Sequence, residues 1–530
     1  MFNQSRLKFT FIVFFILLTF VLVDIFQLQT REFESTSQVI DQQNLDKFYI
    51  RAPRGEIFDA TGEKIAETKL EPHLFINMRK ITNQNSSDYK QIIQYNFPEL
   101  ATKEINEIFE SKDILNSVIN LSSVEYEVSN NLLTNFDAFL IIDLPIRKYI
   151  KNELFSHTVG YLGIPNQDEF NKFQNALGNN QVGKNGLERY YEEYLSGIPG
   201  ELIFSGSDIV DSKQPIPGKD LFLSIDSATQ IVTKESLQQG LDLANKSFES
   251  QNEIKKGASV VLDIETGNIV SMVSLPDFDP NKFVSGISDF EYKQLDRDQA
   301  FNNFAIQGLY PPGSVFKVVA YWLALSENIF PEGLNNKDSK VDCEGSLSFG
   351  FDDGSQQVYN DWKLEGHGKV DLTDAIKQSC NVYFWDIALN IWRNFGNTDG
   401  ESILQEYSKE LGFSEKTNVD LPFEKVGIIP DRELFEEWKI SRPGLVREEG
   451  WLGGDLMNLI IGQGAITTTP LQVANAYRTL LTGENLSPAL NINAEKITNN
   501  KINVSDEFIS FLLKDLNTVT NKGGTAYVSF

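Results

Sequence analysis

The chain has 530 residues, of which 41% are hydrophobic and 23% charged, values typical of a globular protein with room for more than one domain. Asp and Glu outnumber Lys and Arg by 74 to 47, giving a formal net charge of -27. This excess argues against nucleic acid as a partner, because phosphate contacts need Lys and Arg. With three histidines in the chain, a catalytic triad built on histidine has few candidates.

The first predicted element is an apolar segment near the N-terminus. Residues 9–28 contain one charged residue, Asp24, and are about long enough to span a bilayer. Arg6 and Lys8 precede them, so we expect a cytoplasmic tail over 1–8, a single-pass transmembrane anchor over 9–28 and export of the rest. The alternative is a cleaved signal peptide, which the large residues after the apolar run disfavour.

The segment 29–215 is predicted to form the first extramembrane domain. In RAPRGEIFDATGEKIAE, glycines interrupt short alternating stretches, as in strands joined by turns. Residues 70–155 are interpreted as Asn-rich loops and short amphipathic helices, and GKNGLERYYEEYLSGIPG (183–200) as a helix between turns. Residues 205–220 combine Ser, Asp, Pro and Gly with little hydrophobic period, which predicts a linker and a domain boundary.

The segment 216–530 is predicted to form a second, larger domain. It opens with KGASVVLDIETGNIVSMVS, where two β-rich runs flank Glu265–Asn268 and predict a hairpin. Further on, LYPPGSVFKVVAYWLAL predicts a helix that begins at Ser314 and runs to about Leu325. A serine in a first turn lies near free backbone N–H groups, which can stabilise an oxyanion.

Lys317 is three residues after Ser314, on the same helical face. Burial in an apolar helix would lower its pKa and let it act as a base toward the Ser314 hydroxyl. The alternative is that Ser314 caps the helix and Lys317 extends to the surface.

A second polar pair, Ser379 and Asn381, occurs in DAIKQSCNVYFWDIAL. The two are separated by one residue, so a turn can direct both into one cleft while Cys380 points away. Ser-x-x-Lys, Ser-x-Asn and a Lys-Thr-Gly strand form the motif set of penicillin-recognising enzymes, and two of the three occur here in order.

On these motifs the sequence resembles the class B penicillin-binding proteins, specifically the elongation-type penicillin-binding protein 2. The resemblance extends to YPPGSVFK, DWKLEGHGKVDLTDAIKQSCN and IGQGAITTTPLQVANAY. It implies an α/β (α+β) penicillin-recognising serine transpeptidase fold, an antiparallel sheet flanked by helices, after an elongated and mostly β pedestal or dimerisation domain. Ser314 would be the acylated nucleophile and Lys317 its base, while Ser379 and Asn381 would relay protons and hold the substrate.

The resemblance also implies the substrate, location and partners. The enzyme would be a peptidoglycan D,D-transpeptidase of the bacterial inner membrane, with its bulk in the periplasm. It would cross-link D-Ala-D-Ala stem peptides, be acylated by β-lactams, and work beside the polytopic glycan-strand polymerase of the elongation machinery and its membrane-associated regulators. The alternatives are a β-lactamase or β-lactam receptor of the same fold, or a non-catalytic scaffold for wall synthesis.

A metal site is the next expectation. Cys343, Asp361, His367 and Cys380 supply two thiolates, an imidazole and a carboxylate, a plausible tetrahedral zinc set. The resemblance to those penicillin-binding protein 2 relatives that carry a metal here implies Asp361, His367 and Cys380 as ligands, with Cys343 as the fourth. A metal on Cys380 would brace the turn that carries Ser379. A disulfide and two buried free thiols are the alternatives.

The last segments are GQG (462–464), TPLQ (469–472) and the final NKGGTAYVSF. We expect the first two to support the cleft, with Thr469 as a helix N-cap. A helix is predicted from Ser505, ending at Asn521-Lys522 with Lys522 as a C-cap residue and Gly523 left-handed. The chain is therefore expected to stop before a Lys-Thr-Gly strand, and weak or absent acylation would follow.

Overall fold

The computed structural model describes residues 47–97, 105–106, 109, 118–123, 132–247, 253–284, 286–350 and 356–527. The predicted tail over 1–8 and anchor over 9–28 lie outside these residues. Every helix within the described ranges is too short or too polar to cross a membrane.

The N-terminal part is built mainly from strands. Their bounds are β1 (Lys47–Ile50), β2 (Ile57–Phe58), β3 (Lys64–Asn77), β4 (Val118–Ser123), β5 (Phe139–Tyr149), β6 (Leu162–Gly163), β7 (Val182–Gly183), β8 (Gly200–Ser205), β9 (Asp208–Lys213) and β10 (Leu221–Phe222). One sheet has the order β10-β2-β3-β4 with β5 also paired to β3, a second has the order β1-β8-β9, and β6 pairs with β7. Short helices connect them: α1 (Ser86–Asn96), α2 (Ser156–Val159), α3 (Gln167–Lys172), α4 (Ala176–Asn179), α5 (Gly186–Tyr190) and α6 (Glu192–Leu195).

Three sequence predictions for this part need correction. Residues 70–155 are not only loops and short helices, since β3 and β5 pair in antiparallel register from Ala66 with Tyr149 to Ile76 with Phe139. The predicted linker over 205–220 contains β9, which pairs with β8 although all its residues are exposed. The helix expected over 183–200 is two helices, α5 and α6, separated at Tyr191.

The C-terminal part begins with a helix packed on a hairpin. The helix α7 (Ser227–Ser247) precedes β11 (Gly257–Leu262) and β12 (Ile269–Leu275), which pair antiparallel as predicted. The Asp263 carboxylate accepts the Thr266 N–H at 2.7 Å and Gly267 has φ +69°, so the connecting turn is fixed by its own residues. Among the described residues, the antiparallel sheet expected here consists of these two strands.

The remaining elements are helices and two-stranded ribbons. The helices are α8 (Asn281–Val284), α9 (Asp289–Arg297), α10 (Phe304–Gln307), α11 (Lys317–Glu327), α12 (Leu372–Lys377), α13 (Asn381–Phe395), α14 (Ile403–Glu410), α15 (Arg432–Ser441), α16 (Gly453–Ile460), α17 (Pro470–Thr482) and α18 (Asp506–Thr520). The paired strands are β13 (Val341–Cys343) with β16 (Gly368–Val370), β14 (Ser346–Gly350) with β15 (Gln356–Asn360), and β17 (Glu484–Leu486) with β18 (Thr498–Lys501). Single 3₁₀ turns occur at Met78–Lys80, Asn152–Phe155, Gly313–Phe316 and Asp399–Ser402.

The helix α11 lies in the main hydrophobic core. Its residues from Lys317 to Ala324 are all buried, and α13 and α16 pack in the same core. A helix enclosed in this way holds the 3₁₀ turn that leads into it in a fixed position, and this turn carries the serine singled out in the sequence.

Candidate active site

Ser314 and Lys317 lie where α11 begins. Pro312 is followed by the 3₁₀ turn Gly313–Phe316, which continues directly into the helix, so the predicted helix exists but begins at Lys317 rather than at Ser314. Ser314 is exposed whereas Lys317 is only 1% exposed. The alternative in which Lys317 extends to the surface is therefore wrong.

The four polar residues predicted from the two motifs form one hydrogen-bonded network. The Lys317 Nζ donates to the Ser379 carbonyl at 2.8 Å, the Ser379 hydroxyl at 3.0 Å and the Asn381 Oδ1 at 2.7 Å. The Ser379 hydroxyl in turn donates to the Ser314 Oγ at 2.8 Å. The link from Lys317 to Ser314 thus runs through Ser379, which sequence spacing did not reveal.

Burial lowers the pKa of Lys317 to about 8, and the neighbouring Cys380 and Asp361 act in the opposite direction. A lysine with this pKa is partly neutral near physiological pH, whereas an ordinary lysine is almost wholly protonated. The arrangement can therefore accept a proton from Ser314 through the Ser379 hydroxyl.

The turn between α12 and α13 directs Ser379 and Asn381 into the cleft. Ser379 has φ +52°, a left-handed conformation that a non-glycine residue adopts only when its surroundings hold it there. The Asp361 Oδ2 accepts the backbone N–H of Asn381 at 2.7 Å, so a carboxylate sits at the N-terminus of α13, where the helix dipole favours it. Cys380 points away from the cleft, as predicted, and its Sγ lies 3.1 Å from the Cys343 Sγ.

The predicted metal ligands converge behind this turn. One ligand atom from each of Cys343, Asp361, His367 and Cys380 lies within 4.8 Å of all the others. The His367 Nδ1 is 3.3 Å from the Cys343 Sγ, and both cysteines are free thiols. Burial lowers the pKa of His367, which favours the neutral imidazole that metals bind. Its buried Nε2 has no hydrogen-bond partner. The donor types and their proximity fit a tetrahedral Zn²⁺ site.

An open cleft of about 710 Å³ lies above Ser314. Besides the predicted serines, Asn381 and Gln463 of the GQG segment, it is lined by residues that the sequence did not assign to the site: Asn360, Trp362, Trp385, Ile461 and Thr525. The indole N–H of Trp362 donates to the Ser379 carbonyl at 3.2 Å, so this exposed ring is fixed against the catalytic turn. Trp362 directly follows Asp361 in the Asp-Trp-Lys motif, and this position in the sequence could have assigned it to the site.

The GQG segment supports the cleft from one side, as expected, whereas the same expectation for TPLQ stays a prediction. The Gly313 N–H donates to the Gly462 carbonyl at 2.9 Å, and a Cβ on Gly462 would approach the Gly313 carbonyl oxygen to 2.2 Å. Glycine at this position therefore permits direct backbone contact beside the nucleophile. Thr469 caps α17 and forms a capping box with Gln472, which confirms the predicted N-cap.

The segment after α18 is a turn rather than a strand. Ser505 caps the helix as predicted, but the C-cap is Asn521 instead of Lys522, which follows in the turn. Gly523 has φ +86°, the predicted left-handed conformation. The Thr525 N–H then bonds the Lys377 carbonyl at 3.2 Å and brings this residue to the cleft.

Comparisons with known proteins agree with this geometry. The penicillin binding protein transpeptidase domain matches residues 257–529, and the penicillin-binding protein dimerisation domain matches residues 49–223. The peptidoglycan D,D-transpeptidase MrdA of Haemophilus influenzae is 31% identical over 487 residues, covering 88% of this chain and 68% of that protein. MrdA of Acinetobacter baumannii is 30% identical over 469 residues, and the match spans 85% of this chain but only 63% of that relative. Among solved structures, the complex between PBP2 and MreC from Helicobacter pylori has a TM-score of 0.71 at 27% identity, covering 91% of this chain and 85% of that one.

Proposed function

Because the chain belongs to the class B penicillin-binding proteins of the penicillin-binding protein 2 (MrdA) family, we propose that it is a peptidoglycan D,D-transpeptidase that cross-links D-Ala-D-Ala stem peptides during cell elongation. The observation that carries this proposal is the hydrogen-bonded chain from Lys317 through Ser379 to the exposed hydroxyl of Ser314. An exposed serine connected to a buried lysine of lowered pKa is the arrangement that an acyl-transfer nucleophile requires.

In the first half-reaction, the Ser314 Oγ attacks the carbonyl carbon of the penultimate D-Ala. With Lys317 neutral, the Ser379 hydroxyl rotates its proton from Ser314 toward the Lys317 Nζ, and the Ser314 proton moves to the Ser379 oxygen as the Ser379 proton moves to Lys317. Ser314 lies in the 3₁₀ turn that leads into α11, where backbone N–H groups lack partners inside the helix and can stabilise the oxyanion. When the peptide bond breaks, Lys317 returns a proton by the same route to the departing amine of the terminal D-Ala, leaving an ester on Ser314.

In the second half-reaction, an amine of a neighbouring stem peptide attacks that ester. The amine loses a proton to the same relay, and the Ser314 oxygen regains one as the ester bond breaks. Asn381 holds Lys317 through its Oδ1, and the other end of this amide can donate to the peptide. A β-lactam would acylate Ser314 by the first half-reaction.

Labelling of the full chain with a fluorescent penicillin tests the nucleophile. In line with the weak acylation expected from the sequence, we expect weak covalent label on the unaltered chain and on Ser326→Ala, a control on the same helix, but none on Ser314→Ala. Conversion of D-Ala-D-Ala donor peptides with release of D-Ala then separates a transpeptidase from a β-lactam receptor. A folded chain that takes no label would instead be a scaffold for wall synthesis, and the proposed activity would be wrong.

We also propose that Cys343, Asp361, His367 and Cys380 bind one structural Zn²⁺. When bound, the ion would supply a cross-link between the β13–β16 ribbon and the turn that carries Ser379, with no direct part in the reaction. The support for it is the buried set of four suitable ligands and the neutral state favoured for His367.

Metal analysis of the purified full chain tests the zinc proposal. We expect one zinc per chain, lost in His367→Gln and retained in His73→Gln, which changes an imidazole far from the cluster. Loss of zinc should also lower the rate of penicillin labelling, because the Ser379 turn loses its support. Purified protein without stoichiometric zinc would contradict the zinc proposal. It would not affect the proposal that Ser314 is the nucleophile.

Residues 1–28 support a further proposal, that the chain is held in the bacterial inner membrane with its bulk in the periplasm. The Helicobacter pylori neighbour was solved in complex with MreC, so we propose a partner of that kind together with a glycan-strand polymerase. Protease added to spheroplasts should then degrade the C-terminal part while the cells stay sealed. Complete protection until lysis would contradict the proposed orientation.

A further inference from the structure

A cluster of buried charges lies in the N-terminal part, far along the chain from Ser314. Arg54 and Arg147 are 7% and 3% exposed, and the neighbouring carboxylates of Glu188 and Glu192 are 0% and 2% exposed. Arg147 Nε donates to Glu188 Oε1 at 2.8 Å, and Arg54 Nη2 is 2.6 Å from Glu192 Oε2. Arg51 reaches the same small cavity, so three guanidinium groups meet two carboxylates and one positive charge is left over.

The leftover charge can be located. Arg54 uses its Nε and both Nη atoms on Glu188 and Glu192. Arg147 binds the Gly55 carbonyl at 2.7 Å through Nη1, but its buried Nη2 has no partner. Burial alone lowers the pKa of Arg51. Among the described residues, no carboxylate raises it. The buried Arg147 Nη2 therefore lacks an acceptor, and the half-buried Arg51 carries the charge that neither carboxylate offsets.

We propose that the cavity between Arg51 and Arg147 binds a small inorganic monoanion of halide size. The cavity has a volume of about 20 Å³, room for one water-sized species, which excludes phosphate, nucleotides and peptide carboxylates with their attached carbon chain. A water molecule could satisfy the Arg147 Nη2 but would leave the extra charge uncompensated. A halide would satisfy the Arg147 Nη2 and also offset the extra positive charge, because it accepts hydrogen bonds from guanidinium groups and carries one negative charge.

The bound anion would stabilise the junction of several elements. Arg51 follows β1, Arg147 lies in β5, and Glu188 and Glu192 belong to α5 and α6. Binding to the folded state alone raises its stability through mass action, and the site is independent of the reaction at Ser314.

Thermal unfolding of the full chain in non-ionic detergent tests the site. Chloride is compared with gluconate at the same ionic strength of about 0.15 M. We expect chloride to raise the unfolding temperature by roughly 2–4 °C in the unaltered chain. Arg51→Gln should lose most of this difference without being less stable in gluconate, because it removes an unpaired charge. The matched control is Lys148→Gln, since Lys148 is exposed on the same strand as Arg147 and its variant should keep the full response.

Crystals grown in bromide supply a second, direct measurement. An anomalous peak within hydrogen-bond distance of the Arg147 Nη2 and the Arg51 guanidinium would support the proposal. A water at that position without anomalous signal would overturn it. An equal chloride response in the unaltered chain and in Arg51→Gln would do the same, because the salt effect would then arise elsewhere.

Discussion

The rate at which β-lactams acylate Ser314 should rise steeply with pH, because the proposed base is a lysine that works only when neutral. Burial sets the pKa of Lys317 at about 8. About 1% of the chains then carry a neutral Lys317 at pH 6, about 50% at pH 8 and about 90% at pH 9. The second-order rate constant of acylation is therefore expected to increase close to 100-fold from pH 6 to pH 9, with its midpoint near the pKa.

The Asn381→Asp variant tests whether that midpoint belongs to Lys317. The Asn381 Oδ1 accepts a hydrogen bond from Lys317 at 2.7 Å, so a carboxylate there would stabilise the ammonium form. The midpoint should move upward by about 1–3 pH units, whatever the change in the maximal rate. Asn394→Asp adds the same charge at an exposed position of the same helix and should leave the midpoint unchanged.

The assay is a time course of labelling by a limiting concentration of fluorescent penicillin, followed by gel fluorescence, with circular dichroism to show that the protein stays folded at each pH. A rate that is flat between pH 6 and pH 9 would refute the role of Lys317 as the base. So would a profile that rises only near the ordinary lysine pKa of about 10.4, or an Asn381→Asp midpoint that stays in place.

Two further variants test the packing argued above. Glu188→Gln removes the carboxylate that holds Arg54 and Arg147, and should lower the free energy of unfolding by about 3–5 kcal/mol in chemical denaturation. Glu201→Gln, at a less buried ion pair, is the control and should change this free energy by about 1 kcal/mol or less. Equal losses of stability in the two variants would show that burial of the ion pair does not determine the free-energy cost of breaking it. Gly462→Ala places a Cβ 2.2 Å from the backbone oxygen beside the nucleophile and should reduce the labelling rate at least 10-fold, because a clash there displaces Ser314. Gly240→Ala, with no atom within 4 Å of the new Cβ, is its control and should raise the free energy of unfolding by about 0.5–1 kcal/mol. A normal labelling rate in Gly462→Ala would mean that the loop around Gly462 shifts without displacing Ser314.

The active-site residues could be predicted because their spacing is local. Ser314 and Lys317 share one helical face, and Ser379 and Asn381 share one turn, so each pair is defined within four residues of sequence. The order of the hydrogen bonds could not be predicted, since whether Lys317 meets Ser314 directly or through Ser379 depends on how α11 packs against α13. Thr525 was missed for the same reason, because a backbone bond to Lys377 brings it to the cleft.

The strands of the N-terminal part were harder to predict than its turns. In β3, the charged residues Glu67, Lys69 and Glu71 interrupt the apolar pattern, yet the strand continues because β5 pairs with it over its length. In β9 both faces are exposed, so the strand shows no hydrophobic period and depends on backbone pairing with β8. The hydrophobic pattern of a sequence indicates which residues are buried. Because β3 and β9 are strands that are not evenly buried, this pattern does not reveal them.

The left-handed conformation of Ser379 explains why the catalytic network and the four-residue cluster behind it should act as one unit. Such a conformation costs roughly 1–2 kcal/mol for a residue with a side chain, so neighbouring contacts must hold it. On the cleft side Lys317 binds both the carbonyl and the hydroxyl of Ser379. On the other side Asp361 holds the N–H of Asn381, and Cys380 packs against Cys343. Since Asp361 and Cys380 also belong to the cluster, displacement of either one moves the hydroxyl that connects Lys317 to Ser314. A change at the cluster should therefore alter acylation although none of its ligand atoms lines the cleft.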